Sequence, residues 1–274
     1  MDKLKHDIQD TFAPSMHVDA WEKLKNFTDA RIALGRAGCS IPSKPMLEFQ
    51  LAHAQARDAV FQQLDTQHLT QQFAEQNLKA LTVQSQATNK EVFLKRPDLG
   101  RLLNEASQLQ LKQYKHQNPI NYDVCIVIGD GLSARAIDEN AFRMTLSLQQ
   151  QFISLNWKLA PIIIATGSRV ALGDHIVELL NIPMVVMMIG ERPGLSSPDS
   201  MGIYYTLNAK SGSLDSSRNC ISNIRPAGLN IAMATQRLIA LMKNSKQRQI
   251  SGVNLKDEHQ TESVESLHPN TLLF

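Results

Sequence analysis

From residue 121 onward, the chain alternates unbroken apolar runs with segments of helical spacing. Four runs are apolar enough to be buried strands: DVCIVI (123–128), PIIIAT (161–166), PMVVMMI (183–189) and GIYYTL (202–207). A helix over about residues 229–244 follows, with Ile231, Ala234, Leu238 and Leu241 on one face. Because strands covered on both faces are apolar throughout, this alternation predicts an α/β fold with a parallel sheet between helices.

The first 118 residues have a different pattern, in which apolar positions recur mainly at helical spacing. Ser43 as an N-cap and Pro45 in the first turn predict a helix over about 45–64. Further helices are predicted over 67–79 and 98–116, and short strands at ALTVQSQ (80–86) and KEVFLKR (90–96). We therefore predict three parts: a mostly helical N-terminal region (1–118), a Rossmann-like α/β domain (119–255) and a polar, disordered tail (256–274).

Composition narrows the classes of function. The 274 residues carry a formal charge of +2 with acids and bases interspersed, which argues against nucleic-acid binding through bulk electrostatics. No apolar run is long enough to span a membrane, and the first ten residues lack the apolar core of a secretory signal, so we expect a cytoplasmic protein. The three cysteines are widely spaced, without the pattern of a zinc site or a disulfide framework.

Three loops follow the predicted strands, at 129–135, 166–174 and 190–200, and all contain glycine. In open α/β sheets, ligands bind outside the carboxyl ends of the strands, so these loops are the predicted binding site. The third loop is the most unusual, because GERPGLSSPDS combines two glycines, two prolines, a Glu–Arg pair and an Asp. The alternative, that Gly and Pro only turn the chain, stays open for each loop.

The obvious ligand for the first loop is a dinucleotide, since Gly129, Gly131 and Ala134 match G-x-G-x-x-G/A after a strand. Asp130 inside the turn argues against a dinucleotide, because a carboxylate repels a pyrophosphate. The second strand also ends without an acid that could bind a ribose hydroxyl.

Cys220 could be a nucleophile, but no His lies near it in sequence to act as a base. With no complete catalytic set and no metal-ligand set, the chain is predicted to bind a cofactor or to serve as an assembly subunit.

Six motifs, spread in order over residues 29–254, resemble the light subunit of ethanolamine ammonia-lyases. They are RIALGRAG (31–38), RPDLGRLL (96–103), DGLSA (130–134), SRVALGD (168–174), GERPGLSSPDS (190–200) and RNCISNIRPAG (218–228). The resemblance implies a carbon–nitrogen lyase that uses adenosylcobalamin to convert ethanolamine into acetaldehyde and ammonia by a radical mechanism. It also implies that the chemistry takes place in the TIM barrel of a large subunit, in an assembly of six large and six small chains.

The resemblance further implies three cobalamin contacts, which match Val170, Glu191 and Cys220 in this sequence, and no catalytic or metal-binding residue. Ser168 stands where the family motif has Gly, although the following Arg169 and Val170 are retained. Two alternatives remain: a nucleotide-dependent α/β enzyme acting alone, and an assembly protein that binds no small molecule. Residues 1–18 do not decide between the free cytosol and a bacterial microcompartment, to which this region directs some relatives.

Overall fold

The computed structural model describes residues 19–256, which contain seven α-helices, six β-strands and four short 3₁₀ helices. The helices are α1 (Ser43–Phe61), α2 (Thr66–Glu75), α3 (Lys90–Lys95), α4 (Glu105–Gln117), α5 (Ala134–Ser154), α6 (Leu172–Leu180) and α7 (Ile231–Arg248). The strands are β1 (Ala80–Gln84), β2 (Val124–Gly129), β3 (Ile162–Thr166), β4 (Met184–Gly190), β5 (Met201–Leu207) and β6 (Asn219–Ile224). The 3₁₀ helices are Ala20–Phe27, Leu99–Arg101, Asp215–Ser217 and Gly252–Asn254.

The chain divides into two compact units. The described part of the first unit consists of residues 19–57 and 194–197, and it contains the Ala20–Phe27 3₁₀ helix and most of α1. The second unit, residues 58–193 and 198–256 as described, contains all six strands. The predictions for residues 1–18 and for a tail after residue 256 concern segments outside the described residues. Among residues 19–256, no helix combines the length and apolarity needed to cross a membrane.

The six strands form one sheet in the order β1-β3-β2-β4-β5-β6. Pairing is parallel between β1 and β3, β3 and β2, and β2 and β4. This confirms the predicted α/β class with a mostly parallel sheet. Strand β1 joins the sheet although it precedes residue 118, so the domain boundary placed there remains a prediction.

The last two strands are antiparallel, which corrects the expectation of a parallel strand at GIYYTL. A parallel return requires a crossover of a dozen or more residues, which is usually a helix. Residues 191–200 form no helix between β4 and β5, so the chain reverses direction and Met187 pairs with Tyr204. The following strand, β6, was not predicted because CISNI has too few consecutive apolar residues.

Two further expectations for the N-terminal region need correction. The segment KEVFLKR is helix α3 rather than a strand, because the side chain of Asn89 caps it by accepting from the Val92 N–H at 2.9 Å, and Phe93 is buried. The helix expected over 98–116 begins only at Glu105, after a cap by Asn104 and a separate turn at Leu99–Arg101. Strand β1 confirms the prediction for ALTVQSQ.

Both faces of the sheet are covered. Side chains alternate along each strand, so Ile126 and Ile128 of β2 face one side while Cys125 and Val127 face the other. Helices α2, α5 and α7 pack on the first side, and α4 and α6 pack on the second. We refer to these as the α5 face and the α6 face.

A buried ion pair connects the beginning of α6 with the segment before β6. Arg218 Nη1 lies 2.6 Å from Asp174 Oδ1, and their side chains are only 3% and 1% exposed. Arg218 also donates to the carbonyl oxygen of Ser213 at 2.9 Å. Since a buried charge is tolerated only when it is paired, this contact holds the loop that carries Val170 in register with the strand that carries Cys220.

Candidate functional site

The carboxyl ends of β2, β3 and β4 lie at one edge of the sheet, because these strands are parallel neighbours. Their three loops are therefore brought together as predicted. Helix α5 follows β2 on one face, whereas α6 follows β3 on the opposite face. A crevice between adjacent strands whose helices leave on opposite sides is the usual ligand position in this class of fold.

Asp130 fills the crevice between β2 and β3. Its Oδ1 accepts from the N–H groups of Gly131 at 2.8 Å and Ser168 at 2.9 Å, and from the Ser168 hydroxyl at 3.0 Å. Its Oδ2 accepts from the N–H of Gly167 at 2.9 Å. Carboxylates of this kind form the stronger class of hydrogen bond, so Asp130 holds the first loop to the second.

This arrangement leaves few donors for a pyrophosphate at the dinucleotide-like turn. The N–H of Gly131 is bonded to Asp130, that of Leu132 to the carbonyl of Gly190 at 3.0 Å, and that of Ala136 to the Ser133 hydroxyl at 3.2 Å. A phosphate at a helix N-terminus depends on free N–H groups and on the absence of negative charge. The geometry therefore disfavours dinucleotide binding at Gly129–Ala134.

The first and third loops approach each other through two glycines. Gly131 has φ +54°, a left-handed conformation that favours glycine, and a Cβ there would overlap the carbonyl oxygen of Gly190. A Cβ on Gly190 would in turn overlap the carbonyl oxygen of Ser133. The glycines noted in the sequence thus permit contact between the loops. Backbone atoms of the neighbouring loop occupy the space that a Cβ would need.

Glu191 begins the third loop and is the centre of a hydrogen-bond network. Its Oε2 accepts from the Ser200 hydroxyl at 2.6 Å and the Asn223 N–H at 3.2 Å, while Oε1 accepts from the Ser222 hydroxyl at 2.6 Å. Its own N–H donates to the carbonyl of Ser200 at 3.0 Å. A carboxylate has about four acceptor positions, so one remains on Oε1 for a further donor.

An irregularity in β6 brings the Asn223 N–H to Glu191. The pairing with β5 shifts between Met201 and Ile203, and Asn223 has φ +60°. One extra residue in a strand redirects side chains and N–H groups, and such bulges are frequent beside functional sites. Here the bulge turns both Ser222 and the Asn223 N–H toward the same carboxylate.

Cys220 lies on the α6 face, two residues before Ser222. It is the cross-strand partner of Tyr204, which packs against the core on that face, as does Val170. Glu191 follows Ile189 of the same face by two residues, in keeping with strand alternation. Val170, Glu191 and Cys220 therefore lie on one side of the sheet.

The chemistry of Cys220 differs from that of a catalytic nucleophile. Its side chain is exposed, yet desolvation by neighbouring protein atoms raises the pKa of the thiol. Burial, and to a smaller extent the adjacent Cys220, raise the pKa of Tyr204 to about 12. Both groups are thus neutral near pH 7 and suit contact with a neutral ligand better than nucleophilic attack.

We expect Cys220 to react slowly with iodoacetamide at pH 7, because only the thiolate attacks and its fraction is small. The rate should rise about tenfold per pH unit up to a pKa above the ordinary value for a thiol, which reflects the cost of charging this site. Peptide mass spectrometry of the labelled chain measures each cysteine separately. The buried Cys125, whose pKa is raised to about 12, serves as the unreactive control. Rapid labelling of Cys220 at pH 7 would contradict this view.

Several residues of the site were not singled out from the sequence: Ser200, Ser222 and Asn223 around Glu191, and Arg169 beside Val170. The alternation of Cys220 and Ser222 along a strand was a usable signal, but that strand had not been predicted. Within residues 19–256, no group of three or more His, Cys, Asp or Glu side chains is placed to hold a metal ion.

Comparisons with known proteins agree with the six motifs. The family model described as Ethanolamine ammonia-lyase light chain (EutC) matches residues 18–256. The chain is 48% identical over 246 residues to the ethanolamine ammonia-lyase small subunit of Pseudomonas fluorescens (strain Pf0-1), covering 90% of each protein. It is 46% identical over 265 residues to the small subunit of Pseudomonas syringae pv. tomato, covering 97% of this chain and 91% of the relative. Because this similarity extends over most of its length, the chain belongs to the family of ethanolamine ammonia-lyase light chains.

Proposed function

We propose that this chain is the cobalamin-holding subunit of an adenosylcobalamin-dependent ethanolamine ammonia-lyase, which converts ethanolamine into acetaldehyde and ammonia. The observation that carries the proposal is the Glu191 network, which lies on the same sheet face as Val170 and Cys220 at the carboxyl end of β4. All three residues were expected to contact cobalamin, and they come from three separate segments of the chain.

The residues present suit the rim of a corrin ring. That rim carries neutral carboxamides, which need hydrogen-bond partners when they are buried. Glu191 retains one acceptor position on Oε1 for an amide N–H, while Val170 offers apolar contact and a backbone carbonyl. Cys220 and Tyr204 are neutral and polarisable, so they can pack beside such a ring without an uncompensated charge.

The bound adenosylcobalamin supplies the radical that starts the reaction. The part of this chain is to orient one edge of the cofactor and to exclude water from it. No residue of the chain is assigned a catalytic role, since Cys220 is held as a neutral thiol and the Asp130 carboxylate is used by the loops. A large catalytic subunit supplies the ethanolamine site, as the words "small subunit" in the relatives' names suggest.

The proposed assembly contains six large and six small chains, located in the cytoplasm either free or inside a bacterial microcompartment. Residues 119–255 are the proposed cobalamin-contacting domain and residues 1–118 the proposed N-terminal region. A nucleotide-dependent enzyme acting alone is the weaker candidate, since Asp130 and Gly190 occupy the donors of the dinucleotide-like turn.

Reconstitution tests the proposal. This chain and the large subunit are mixed with adenosylcobalamin and ethanolamine, and acetaldehyde is measured with each chain alone as a control. We expect activity and retained cobalamin absorbance only with both chains. Activity from the large subunit alone would reduce this chain to an assembly protein, and dinucleotide binding by the isolated chain would restore the nucleotide alternative.

A further inference from the structure

A pocket lies at the edge of the sheet opposite to the three glycine-containing loops. Lys79, Tyr122 and Pro161, which come shortly before β1, β2 and β3, line this pocket. Because these strands are parallel, their amino ends meet at one edge of the sheet, and the loops leave from the other edge. The pocket, which we call the amino-edge pocket, is therefore separate from the site proposed for the cofactor.

The lining of the amino-edge pocket is mainly aromatic and apolar. These lining residues are Tyr114, Tyr122, Phe152, Ile153, Trp157 and Pro161. Ile153, in the last turn of α5, is 66% exposed, and the rings of Phe152 and Trp157 have centroids 5.9 Å apart. The cavity of about 320 Å³ has room for one or two large side chains. Concave sites lined by aromatic side chains are typical binding sites for apolar groups.

The pocket also offers one hydrogen-bond donor. The hydroxyls of Tyr114 and Tyr122 are 2.9 Å apart, so one of them donates to the other. Burial, and after it the hydrogen bond with Tyr122, raises the pKa of Tyr114, so this hydroxyl stays protonated at neutral pH. The accepting hydroxyl keeps its own hydrogen, which is available for the carbonyl oxygen of an incoming peptide.

Lysine side chains surround the pocket. Lys79 Nζ lies 4.6 Å from the centroid of the Tyr114 ring, and Lys246 Nζ lies 5.1 Å from that of the Trp157 ring. Lys246 also pairs with Asp123 at 3.5 Å, whereas no carboxylate of the described residues pairs with Lys79. The combination of an apolar recess and positive charges favours an occupant with large apolar side chains attached to an acidic segment.

The C-terminal segment of the same chain has this composition. Residues 257–274 read DEHQTESVESLHPNTLLF. Four acidic residues are followed by the apolar residues Leu272, Leu273 and Phe274, and the segment contains no Lys or Arg. Its charge is therefore opposite to that around the pocket, and its apolar side chains suit the aromatic lining.

The last described residues lie at the same edge of the sheet as the pocket. The hydroxyl of Ser251 accepts from the Leu207 N–H at 3.1 Å, and Leu207 pairs with Met184, the first residue of β4. In the sheet order, β5 and β3 are separated by β2 and β4, and adjacent strands lie about 4.8 Å apart. Residues 257–274 span up to about 60 Å when extended, so they are long enough to reach the pocket.

We propose that Leu272–Phe274 of the same chain occupies the amino-edge pocket, with the acidic part of the segment beside Lys79 and Lys246. Covalent linkage presents the segment to the pocket at an effective concentration of about a millimolar, so even weak docking leads to high occupancy. The docked segment covers Trp157 and the exposed side chain of Ile153.

Disulfide trapping in the full chain tests the proposal directly. Ile153→Cys is combined with Phe274→Cys, and the oxidised protein is analysed by peptide mass spectrometry at low protein concentration. A disulfide forms only where the two Cα atoms approach within about 7 Å. We expect an intramolecular disulfide between positions 153 and 274. Adding Leu273→Asp should lower its yield roughly tenfold, as for the loss of a large apolar side chain from a buried position. Val264→Asp, in the same segment but outside the proposed contact, is the matched control and should not change the yield.

Trp157 fluorescence is a second measurement that needs no added cysteine. The chain has two tryptophans, so Trp21→Phe leaves Trp157 as the only reporter. We expect Leu273→Asp to shift its emission to longer wavelength and to increase quenching by acrylamide, and Val264→Asp to do neither. Unchanged emission in Leu273→Asp overturns the proposal. So does a disulfide between two molecules whose yield rises with protein concentration, which places the segment on a second copy. Protection of Trp157 only after the large subunit is added, and equal with Leu273→Asp, assigns the pocket to that subunit and also overturns the proposal.

Discussion

Replacing Asp130 with Ala should destabilise the chain by about 3 to 5 kcal/mol. The change removes the acceptor for three backbone N–H groups, those of Gly131, Gly167 and Ser168, and each buried donor left without a partner costs about 1 to 3 kcal/mol. Asp130→Asn should cost less, about 1 to 3 kcal/mol, because the oxygen Oδ1 and its hydrogen bonds are retained. Only Oδ2 is replaced by an amide NH2 group, which then faces the N–H of Gly167 as a second donor.

Urea unfolding of the purified variants measures both effects. Asp98→Asn is the control, since this aspartate is exposed and its partner Arg96 is exposed as well. Its unfolding midpoint should equal that of the wild type. If Asp130→Ala unfolds at the same urea concentration as the control, the N–H groups find other partners, and Asp130 does not hold the loops together.

Replacing Glu191 with Ala should weaken adenosylcobalamin binding to the two-subunit assembly by roughly 10- to 100-fold. The estimate follows from about 1.5 to 3 kcal/mol for hydrogen bonds to a charged group. Without the carboxylate, the cofactor loses an acceptor, and the Ser200 hydroxyl and Asn223 N–H lose the group that orders the third loop. Equilibrium binding followed by cofactor absorbance gives the dissociation constants, with Glu139→Gln on α5 as the control.

Ser222→Ala separates direct contact from positioning. It frees a position on Oε1 while Ser200 and Asn223 still hold Oε2, so cobalamin affinity should change little if Glu191 contacts the cofactor itself. A loss as large as that of Glu191→Ala would instead make Glu191 a positioning residue. Unchanged affinity in Glu191→Ala would remove the residue from the proposed site.

The location of the strands could be predicted because a strand buried on both faces is a continuous apolar run in the sequence. The runs at β2, β3 and β4 are apolar at every position, and their predicted limits agree with the observed strands to within a residue. A strand with one exposed face has a less distinct hydrophobic pattern in the sequence. For β6, only Ile221 and Ile224 are buried, while its Cys, Ser and second Asn are exposed, so its pattern was not recognised.

Strand direction depended on a longer-range property. Residues 191–200 are rich in Gly, Pro and Ser, which indicates a loop, but the pattern alone did not show that the loop returns the chain antiparallel to β4. The helix at Lys90–Lys95 was similarly ambiguous, since six residues with three apolar positions in the middle fit a strand or a helix. The Asn89 cap and the burial of Phe93 decide it.

By itself, the sequence determined the α/β class, the three glycine-containing loops and the family, because each is encoded in residues adjacent along the chain. Only the tertiary structure decided which side chains surround Glu191, what Asp130 binds and that Arg169 stacks on Phe93. These partners are 9 to 76 residues apart, and their pairing depends on strand register and on the bulge in β6. A hydrogen bond requires atoms within about 3 Å, and no local pattern specifies distances across a sheet to that precision.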